Sequence, residues 1–261
     1  MRDSRRALTL PELVVGFAVF SFVMVLLAVA MSRGTTVWER SFGTNTAQVE
    51  LRKGYSSLQP DLLRTELQTV RRTVSTTSFS GSDGDAVWFL SPWDEATSNL
   101  LRTSAGRPLW QRNILYYCTV PRQHDELYGA TCTGRPDGQG YEMGCPHKVL
   151  VRKVINNPAG SGEAEELLAP GRIANYLTRP RRLDLPGGEP GLEEATIVAT
   201  GLVTFRVRRD PAPDSPGEIA VHLAAVGPEM RRRQRRAGSA PLDEALRELH
   251  FSVFPPERSA P

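Results

Sequence analysis

The apolar residues near the start of the chain form one continuous block. Residues 13–31 (LVVGFAVFSFVMVLLAVAM) are interrupted only by Gly16 and Ser21. A helix of these 19 residues would rise about 28 Å, close to the roughly 30 Å hydrocarbon core of a bilayer. A helix that is apolar on every side is typical of a membrane span, whereas a soluble helix usually keeps one polar face. The pattern therefore predicts one membrane-spanning helix, since no later stretch of the sequence is comparably apolar.

After this block the apolar positions recur at spacings of three, four and seven residues, which is the pattern of one helical face. These positions are Trp38, Phe42, Val49, Leu51, Tyr55, Leu58 and Leu62. We expect one helix from Leu8 to about Leu58, with its first half in lipid and its second half packed on a globular head. Proline has no amide hydrogen and clashes with the preceding turn, so a break is expected near Pro60. A second helical segment is predicted over residues 61–73 (DLLRTELQTVRRT).

Beyond Ser75 the pattern changes to short runs rich in β-branched and aromatic residues, separated by loops rich in Gly, Pro and Asp. Strands are predicted over residues 86–90, 108–120, 148–155, 195–208, 218–225 and 249–254. Successive strands that are joined by turns are typical of an antiparallel sheet. The predicted fold class is therefore α+β, with a long N-terminal helix packed on an antiparallel β-sheet head.

The same patterns divide the chain into four predicted parts. They are a short basic segment over residues 1–7, a transmembrane helix over 8–33, its extramembrane continuation over 34–74, and a β-rich head over 75–261 with loop insertions at 121–147 and 226–241. The composition supports a folded head, because 40% hydrophobic and 23% charged residues are ordinary values for a globular chain. The formal net charge of only +3 does not favour nucleic acid as a partner.

The short segment ahead of the apolar block is basic. Its charged residues are Arg2, Asp3, Arg5 and Arg6. By the positive-inside rule this end stays in the cytoplasm, so we expect the head on the far side of the membrane. Three interpretations fit: a secretory signal peptide that ends at residues 28–30 (AVA), a plain signal anchor, or a segment in which Glu12 has a role of its own. Helical spacing continues after residue 30, which disfavours the first interpretation.

Glu12 is an ionisable residue at the start of the apolar block. A charged carboxylate in a bilayer costs on the order of 2.5 to 3.5 kcal/mol at the centre and less near the edge. The string over residues 5–15 (RRALTLPELVV) resembles the cleavage and methylation segment of type IV prepilins and pseudopilins. In that family prepilin peptidase cuts off a short basic leader on the cytoplasmic side, and the new amino terminus is N-methylated. The resemblance implies cleavage between Ala7 and Leu8, methylation of Leu8, and the family's glutamate at Glu12; Ala7 and Leu8 stand where Gly and Phe are more usual.

The resemblance also implies how Glu12 acts. Cleavage creates an amine at Leu8, and an opposite charge is the cheapest way to stabilise a carboxylate in a medium of low dielectric constant. Glu12 is therefore expected to meet the amine of a neighbouring subunit and to set the axial register of a fibre. The head is similar to those of the J-type minor pseudopilins of type II secretion and the W-type minor pilins. This second likeness rests on residues 61–64 (DLLR), 87–91 (VWFLS), 107–112 (RPLWQR), 115–117 (LYY) and 254–255 (FP).

Three cysteines, Cys118, Cys132 and Cys145, fall in the part predicted to lie outside the cytoplasm. An oxidising compartment favours one disulfide among them, and the sequence does not distinguish a Cys118–Cys145 bond from a Cys132–Cys145 bond. His124 and His147 lie in the same segment. No CxxC pair accompanies them, so a zinc site is not expected there.

The sequence contains no recognisable catalytic motif: a Gly-x-Ser-x-Gly elbow, a Walker loop, a His-Glu-x-x-His pair and a dinucleotide fingerprint are all missing. His222 and His250 fall in predicted strands, away from any nucleophile pattern. Residues 83–85 (DGD) and 137–140 (DGQG) do not match an EF-hand and are interpreted as turns. The arginine run at 231–236 (RRRQRR) is interpreted as a solvated loop rather than a phosphate site. We expect no enzymatic activity, no cofactor and no metal.

Together these observations predict a minor pilin or pseudopilin subunit with a structural or priming role in a type II secretion pseudopilus or a type IV pilus. The expected partners are prepilin peptidase, other pilin or pseudopilin subunits, the inner-membrane assembly platform and the lipid bilayer. The expected location is the bacterial inner membrane, with a single pass and a periplasmic head. Loss of residues 1–7 removes three Arg and one Asp, so the net charge falls from +3 to +1. The alternative is a signal-anchored or secreted extracellular binding module.

Overall fold

The computed structural model describes residues 10–74, 85–94, 97–122, 147–157, 165–180, 188–210, 216–227 and 246–256. The chain divides into two compact units, one up to Phe42 and one from Gly43 onward. The predicted α+β class is confirmed, because a long apolar N-terminal helix is followed by a seven-stranded antiparallel sheet.

The first unit contains the start of helix α1 (Leu10–Arg64). Its segment Leu10–Thr35 has 26 residues and a mean hydropathy of 2.8, and none of its most apolar residues is buried inside the protein. These residues rise about 39 Å, more than the roughly 30 Å that a bilayer core requires. Large apolar side chains such as Phe17, Phe20 and Phe22 are exposed around this segment. Within the described ranges it is the one helix long and apolar enough to cross a membrane.

Helix α1 does not end at Leu58; it continues through Pro60 to Arg64. A proline in a helix interior costs about 3 kcal/mol, because it removes one hydrogen bond and clashes with the preceding turn. Leu58 and Leu62, one turn apart on either side of Pro60, are fully buried in the head. Burial of each leucine contributes about 1.5 to 3 kcal/mol, so their packing outweighs the effect of the proline.

The helix predicted over residues 61–73 is wrong beyond Arg64. The chain instead forms a 3-10 turn at Leu67–Thr69 and strand β1 (Arg71–Val74). Thr65 is fully buried, and its hydroxyl donates a hydrogen bond to the Leu90 carbonyl at 2.6 Å. This contact turns the chain toward the sheet directly after the helix ends.

Among the residues that the structure describes, eight further strands follow β1. They are β2 (Asp85–Ser91), β3 (Trp93–Asp94), β4 (Asn99–Leu100), β5 (Arg112–Thr119), β6 (Lys148–Ile155), β7 (Leu192–Arg209), β8 (Ile219–Val226) and β9 (Leu246–Val253). The main sheet is antiparallel in the order β1-β2-β5-β6-β7-β8-β9, and β3 pairs with β4 separately. All six predicted strands are confirmed, β6 with the predicted bounds. The sequence did not predict β1, β3 and β4.

The sheet carries an apolar core on each face. The second part of α1 packs on one face through Ala47, Leu51, Leu58 and Leu62. Residues 165–180, which include the short helix α2 (Pro170–Ile173) and a 3-10 turn (Ala174–Tyr176), cover the other face near β2, β5 and β6. Because side chains alternate along a strand, Phe89 of β2 faces α1 while its neighbour Trp88 faces away from it.

Candidate assembly segment and polar clusters of the head

Glu12 lies in the first turn of α1, and its side chain is exposed. The amide groups at a helix N-terminus carry partial positive charge, so an acidic side chain is favourable there. Glu12 is also the one acidic residue of the apolar segment Leu10–Thr35. Ala7 and Leu8, where cleavage and methylation are predicted, lie outside the described residues.

A polar cluster joins α1 to the sheet inside the otherwise apolar interface. The Asp61 carboxylate accepts hydrogen bonds from Nε of Arg152 at 2.9 Å and from the Tyr116 hydroxyl at 2.7 Å. Ser57, one turn earlier on α1, places its hydroxyl oxygen 2.7 Å from that of Tyr116. Arg152 also lies 3.3 Å from a carboxylate oxygen of Glu194. Asp61 is only 7% exposed, so these partners replace the water that its charge has lost.

The electrostatics of this cluster are those of a structural contact. Burial raises the pKa of Tyr116 well above its usual value, and the Asp61 carboxylate raises it further. Burial alone would lower the pKa of Arg152, but Asp61 and Tyr116 raise it, and the net shift is upward. Tyr116 therefore stays neutral and Arg152 stays charged near neutral pH, which is unlike a site that transfers protons.

Glu50 makes a second polar contact between α1 and the sheet. Its carboxylate accepts a hydrogen bond from the backbone amide of Thr200 at 2.7 Å. The register of β7 against β6 shifts at this point: Lys148 pairs with Leu202, but the next residue, Val149, pairs with Thr200. The skipped residue, Gly201, has a φ of +72°. Glycine adopts such a conformation readily, and a bulge of this kind turns a backbone group out of the ladder. Glu50 binds the amide next to the bulge and fixes α1 at that height on the sheet.

Lys153 is fully buried on the sheet face opposite α1. Its ammonium group donates hydrogen bonds to the Tyr176 carbonyl at 2.8 Å, to the Thr178 hydroxyl at 2.9 Å and to the Glu189 carboxylate at 2.8 Å. Burial lowers the pKa of Lys153, and the hydrogen bond and charge of Glu189 partly offset that effect. Three partners accept the three hydrogens of the ammonium group, so Lys153 binds Tyr176, Thr178 and Glu189 to β6.

The three cysteines predicted to form a disulfide are only partly described. Cys118 is fully buried in β5 and belongs to the core that α1 covers. Cys132 and Cys145 lie outside the described residues, so the disulfide stays a prediction. The arginine run at 231–236 also lies outside the described residues, so its interpretation as a solvated loop stays a prediction.

Asp85, the last residue of the predicted turn at 83–85, begins β2. Its carboxylate accepts a hydrogen bond from the Val207 amide at 2.8 Å and lies 3.6 Å from the Arg72 guanidinium. Burial raises the pKa of Asp85, and both partners act in the opposite direction. Asp85 thus serves the sheet, while the second acidic turn at 137–140 lies outside the described part of the chain.

The structure brings together three residues that the sequence did not group: His222 on β8, and Glu248 and His250 on β9. His222 pairs with His250 across the strands, and their rings stack with 4.0 Å between centroids and 6° between planes. Oε2 of Glu248 lies 3.4 Å from Nε2 of His222 and 3.1 Å from Nε2 of His250. The alternation of Glu248 and His250 along one strand was a weak signal, but the position of His222 beside them follows only from the register.

No family model, curated protein or solved structure matches this chain. The structure itself defines the class of the molecule, a long apolar N-terminal helix followed by an antiparallel β-sheet. This order is consistent with a pilin-like architecture, and one N-terminal segment is long and apolar enough to cross a membrane.

Proposed function

We propose that this chain is a minor pilin or pseudopilin subunit, processed by prepilin peptidase and assembled into a type II secretion pseudopilus or a type IV pilus. The observation that carries the proposal is the position of Glu12, in the first turn of a helix whose apolar side chains are otherwise exposed throughout Leu10–Thr35. A plain membrane anchor needs no carboxylate at this depth, where the charge is costly. A helix that assembles with copies or homologues of itself can use that charge to fix the register.

In this proposal prepilin peptidase cuts between Ala7 and Leu8. Cleavage removes the basic leader over residues 1–7, which holds the amino terminus in the cytoplasm. It also leaves a charged amine at Leu8, one helical turn from Glu12. The amine of one subunit then pairs with Glu12 of the next, and each charge stabilises the other where water is scarce.

Cohesion of the fibre comes from the apolar surface of the Leu10–Thr35 segment. In the membrane lipid covers this surface, so moving a helix from lipid to a helix bundle gains little from the hydrophobic effect and depends on close packing. A charge pair that forms at one axial position adds the specificity that such packing lacks. Glu12 would therefore decide which register the packed helices adopt.

The chain performs no catalysis in this proposal. It is first a substrate of the peptidase and then a structural or priming subunit at the inner-membrane assembly platform, with its head in the periplasm. Helix α1 also supports this proposal over secretion, because it continues without a break through residues 28–30, where a secretory cleavage site normally opens into an extended segment.

Replacement of Glu12 tests the proposal. In cells that assemble the fibre, Glu12→Ala is expected to reduce the amount of this subunit in the sheared fibre fraction by about tenfold or more, because tenfold corresponds to only about 1.4 kcal/mol of lost pairing. The amount in the membrane fraction should not fall, since removing a charge does not hinder insertion. Glu12→Asp, which keeps the carboxylate, is the matched control and should retain most of the incorporation. Normal incorporation of Glu12→Ala would contradict the register role.

A further inference from the structure

A cluster of three metal-binding side chains lies on the sheet face opposite α1. Val221 and Leu223 of β8 belong to the core that α1 covers, so His222 between them points to the other face. His222 is paired with His250, and Glu248 stands two residues earlier on β9, which places all three side chains on the same face. Ala224 is paired with Glu248 and is small, so the carboxylate can lean toward the two rings.

The donor atoms lie close enough together to bind one metal ion after one imidazole ring rotates, because the stacked rings now hold their in-plane lone pairs in nearly parallel planes. One ligand atom from each of the three residues lies within 4.8 Å of the others. Zinc bonds to imidazole nitrogen and carboxylate oxygen are about 2.0 to 2.2 Å long, so donors in a tetrahedral site stand roughly 3.3 Å apart. The distances of 3.4 and 3.1 Å from Oε2 of Glu248 to the two Nε2 atoms already match that value.

The charges around the cluster suit a cation of moderate affinity. When they bind a metal ion, two imidazole rings and one carboxylate form a donor set with a single negative charge. Arg206, paired with His222 on β7, is a basic neighbour that opposes a bound cation. We therefore expect binding in the micromolar range rather than the tight binding of a structural zinc site.

We propose that His222, Glu248 and His250 form a binding site for a divalent transition-metal ion, with zinc as the preferred ion. Imidazole nitrogen favours zinc, copper, cobalt and nickel, whereas calcium and magnesium prefer oxygen ligands alone. Two histidines and one glutamate form a three-ligand set that leaves a fourth tetrahedral position open. His250 is 65% exposed, so this open position faces solvent and can take water or a donor from another molecule.

The site is independent of the proposed role in a fibre, because it lies in the head and none of its residues belongs to α1. The test uses the full-length protein in detergent, freed of metal with EDTA and then dialysed. Zn²⁺ is titrated by calorimetry, and Co²⁺ is titrated by visible absorption, in which a site of low coordination number gives intense bands. In each of the two titrations the wild-type protein is expected to bind one metal ion per chain.

His250→Gln and Glu248→Gln are each expected to weaken Zn²⁺ binding by about 10- to 100-fold and to remove the Co²⁺ bands. Loss of a residue that only orients a metal ligand already weakens binding by about 10- to 100-fold, and these variants remove a ligand itself. The matched control is the double variant His124→Gln/His147→Gln, which removes the other two of the four histidines and should bind like wild type. Thermal unfolding without metal verifies that each variant is folded; His250 is the safest position because it is exposed. Absence of binding to wild type, or unchanged binding to His250→Gln, would overturn the proposal, and so would loss of binding only in the control.

Discussion

Asp61, like Glu50, binds α1 to the sheet through its carboxylate. Two donors, Tyr116 and Arg152, converge on its carboxylate inside an apolar interface. The sequence pattern placed residue 61 at the start of a second helix and did not show that it meets Tyr116 and Arg152. Those two residues are on separate strands, and only the register of β5 and β6 brings them together. The contact between His222 and His250 could not be predicted from the sequence for the same reason. Glu12 could be singled out from the sequence, because the motif that contains it, residues 5–15, is continuous along the chain.

Asp61→Ala is expected to lower the free energy of unfolding of the head by about 3 to 5 kcal/mol, because it leaves the buried Arg152 charge without its main partner. Urea unfolding of the full chain in detergent, followed by tryptophan fluorescence, measures this change. Glu193→Ala is the matched control, since Glu193 also pairs with an arginine, Arg112, but both side chains are at least one-third exposed. Its effect should stay within about 1 kcal/mol. Similar losses for the two variants would show that the Asp61 cluster is not a buried anchor.

At the scale of elements, periodicity in the sequence located α1 and the long strands, but it wrongly placed Trp38, Phe42 and Val49 on a packed helix face, since all three are exposed. It failed where tertiary contacts overrule local preference. Pro60 does not end α1, since the buried leucines on either side stabilise the helix through it. Residues 71–74 (RRTV) continue an apparent helical pattern, yet they form β1 because they pair with β2. Short runs such as β3 and β4, with two residues each, carry too few positions to show a period.

Gly43 of α1 lies close to Gly227, directly after β8. A Cβ atom on Gly227 would lie 2.3 Å from the Gly43 carbonyl oxygen, whereas a Cβ on Gly43 would have its nearest neighbour 3.9 Å away. Gly227→Ala is therefore expected to destabilise the head by about 1 to 3 kcal/mol through forced displacement of backbone. Gly43→Ala changes the same contact from the other side and should be neutral or stabilising by up to about 1 kcal/mol, because alanine favours the helix.

Both glycine variants are compared by thermal and urea unfolding under identical detergent conditions. A loss of stability in Gly227→Ala together with no loss in Gly43→Ala supports the close approach. Equal effects in both variants, or no effect in either, would contradict it. The sequence marks both positions as glycine, but it does not show that they meet or that only one of them is sterically required.

At the scale of the whole molecule, the sequence predicted the α+β class and the exposed apolar start of α1. The compact unit that begins at Gly43 contains the main sheet, which α1 and residues 165–180 cover on opposite faces. Large apolar side chains fill the core of the head and are exposed along Leu10–Thr35, and exposed apolar surface of this extent is typical of a segment that contacts lipid or other proteins. The proposed assembly uses both coverings in turn, first lipid and then neighbouring subunits.

The central claim is that the chain is a processed fibre subunit, and the mature amino terminus tests it most directly. Intact-mass and N-terminal peptide analysis of the protein purified from the membrane of its native host should find a chain that begins at Leu8 and carries one methyl group on its amine. Replacing Ala7 by a bulky residue should leave the precursor uncut. A mature chain that begins at Met31 would instead indicate conventional secretion, and an unprocessed chain that begins at Met1 would indicate a simple anchor. Either result would contradict the account.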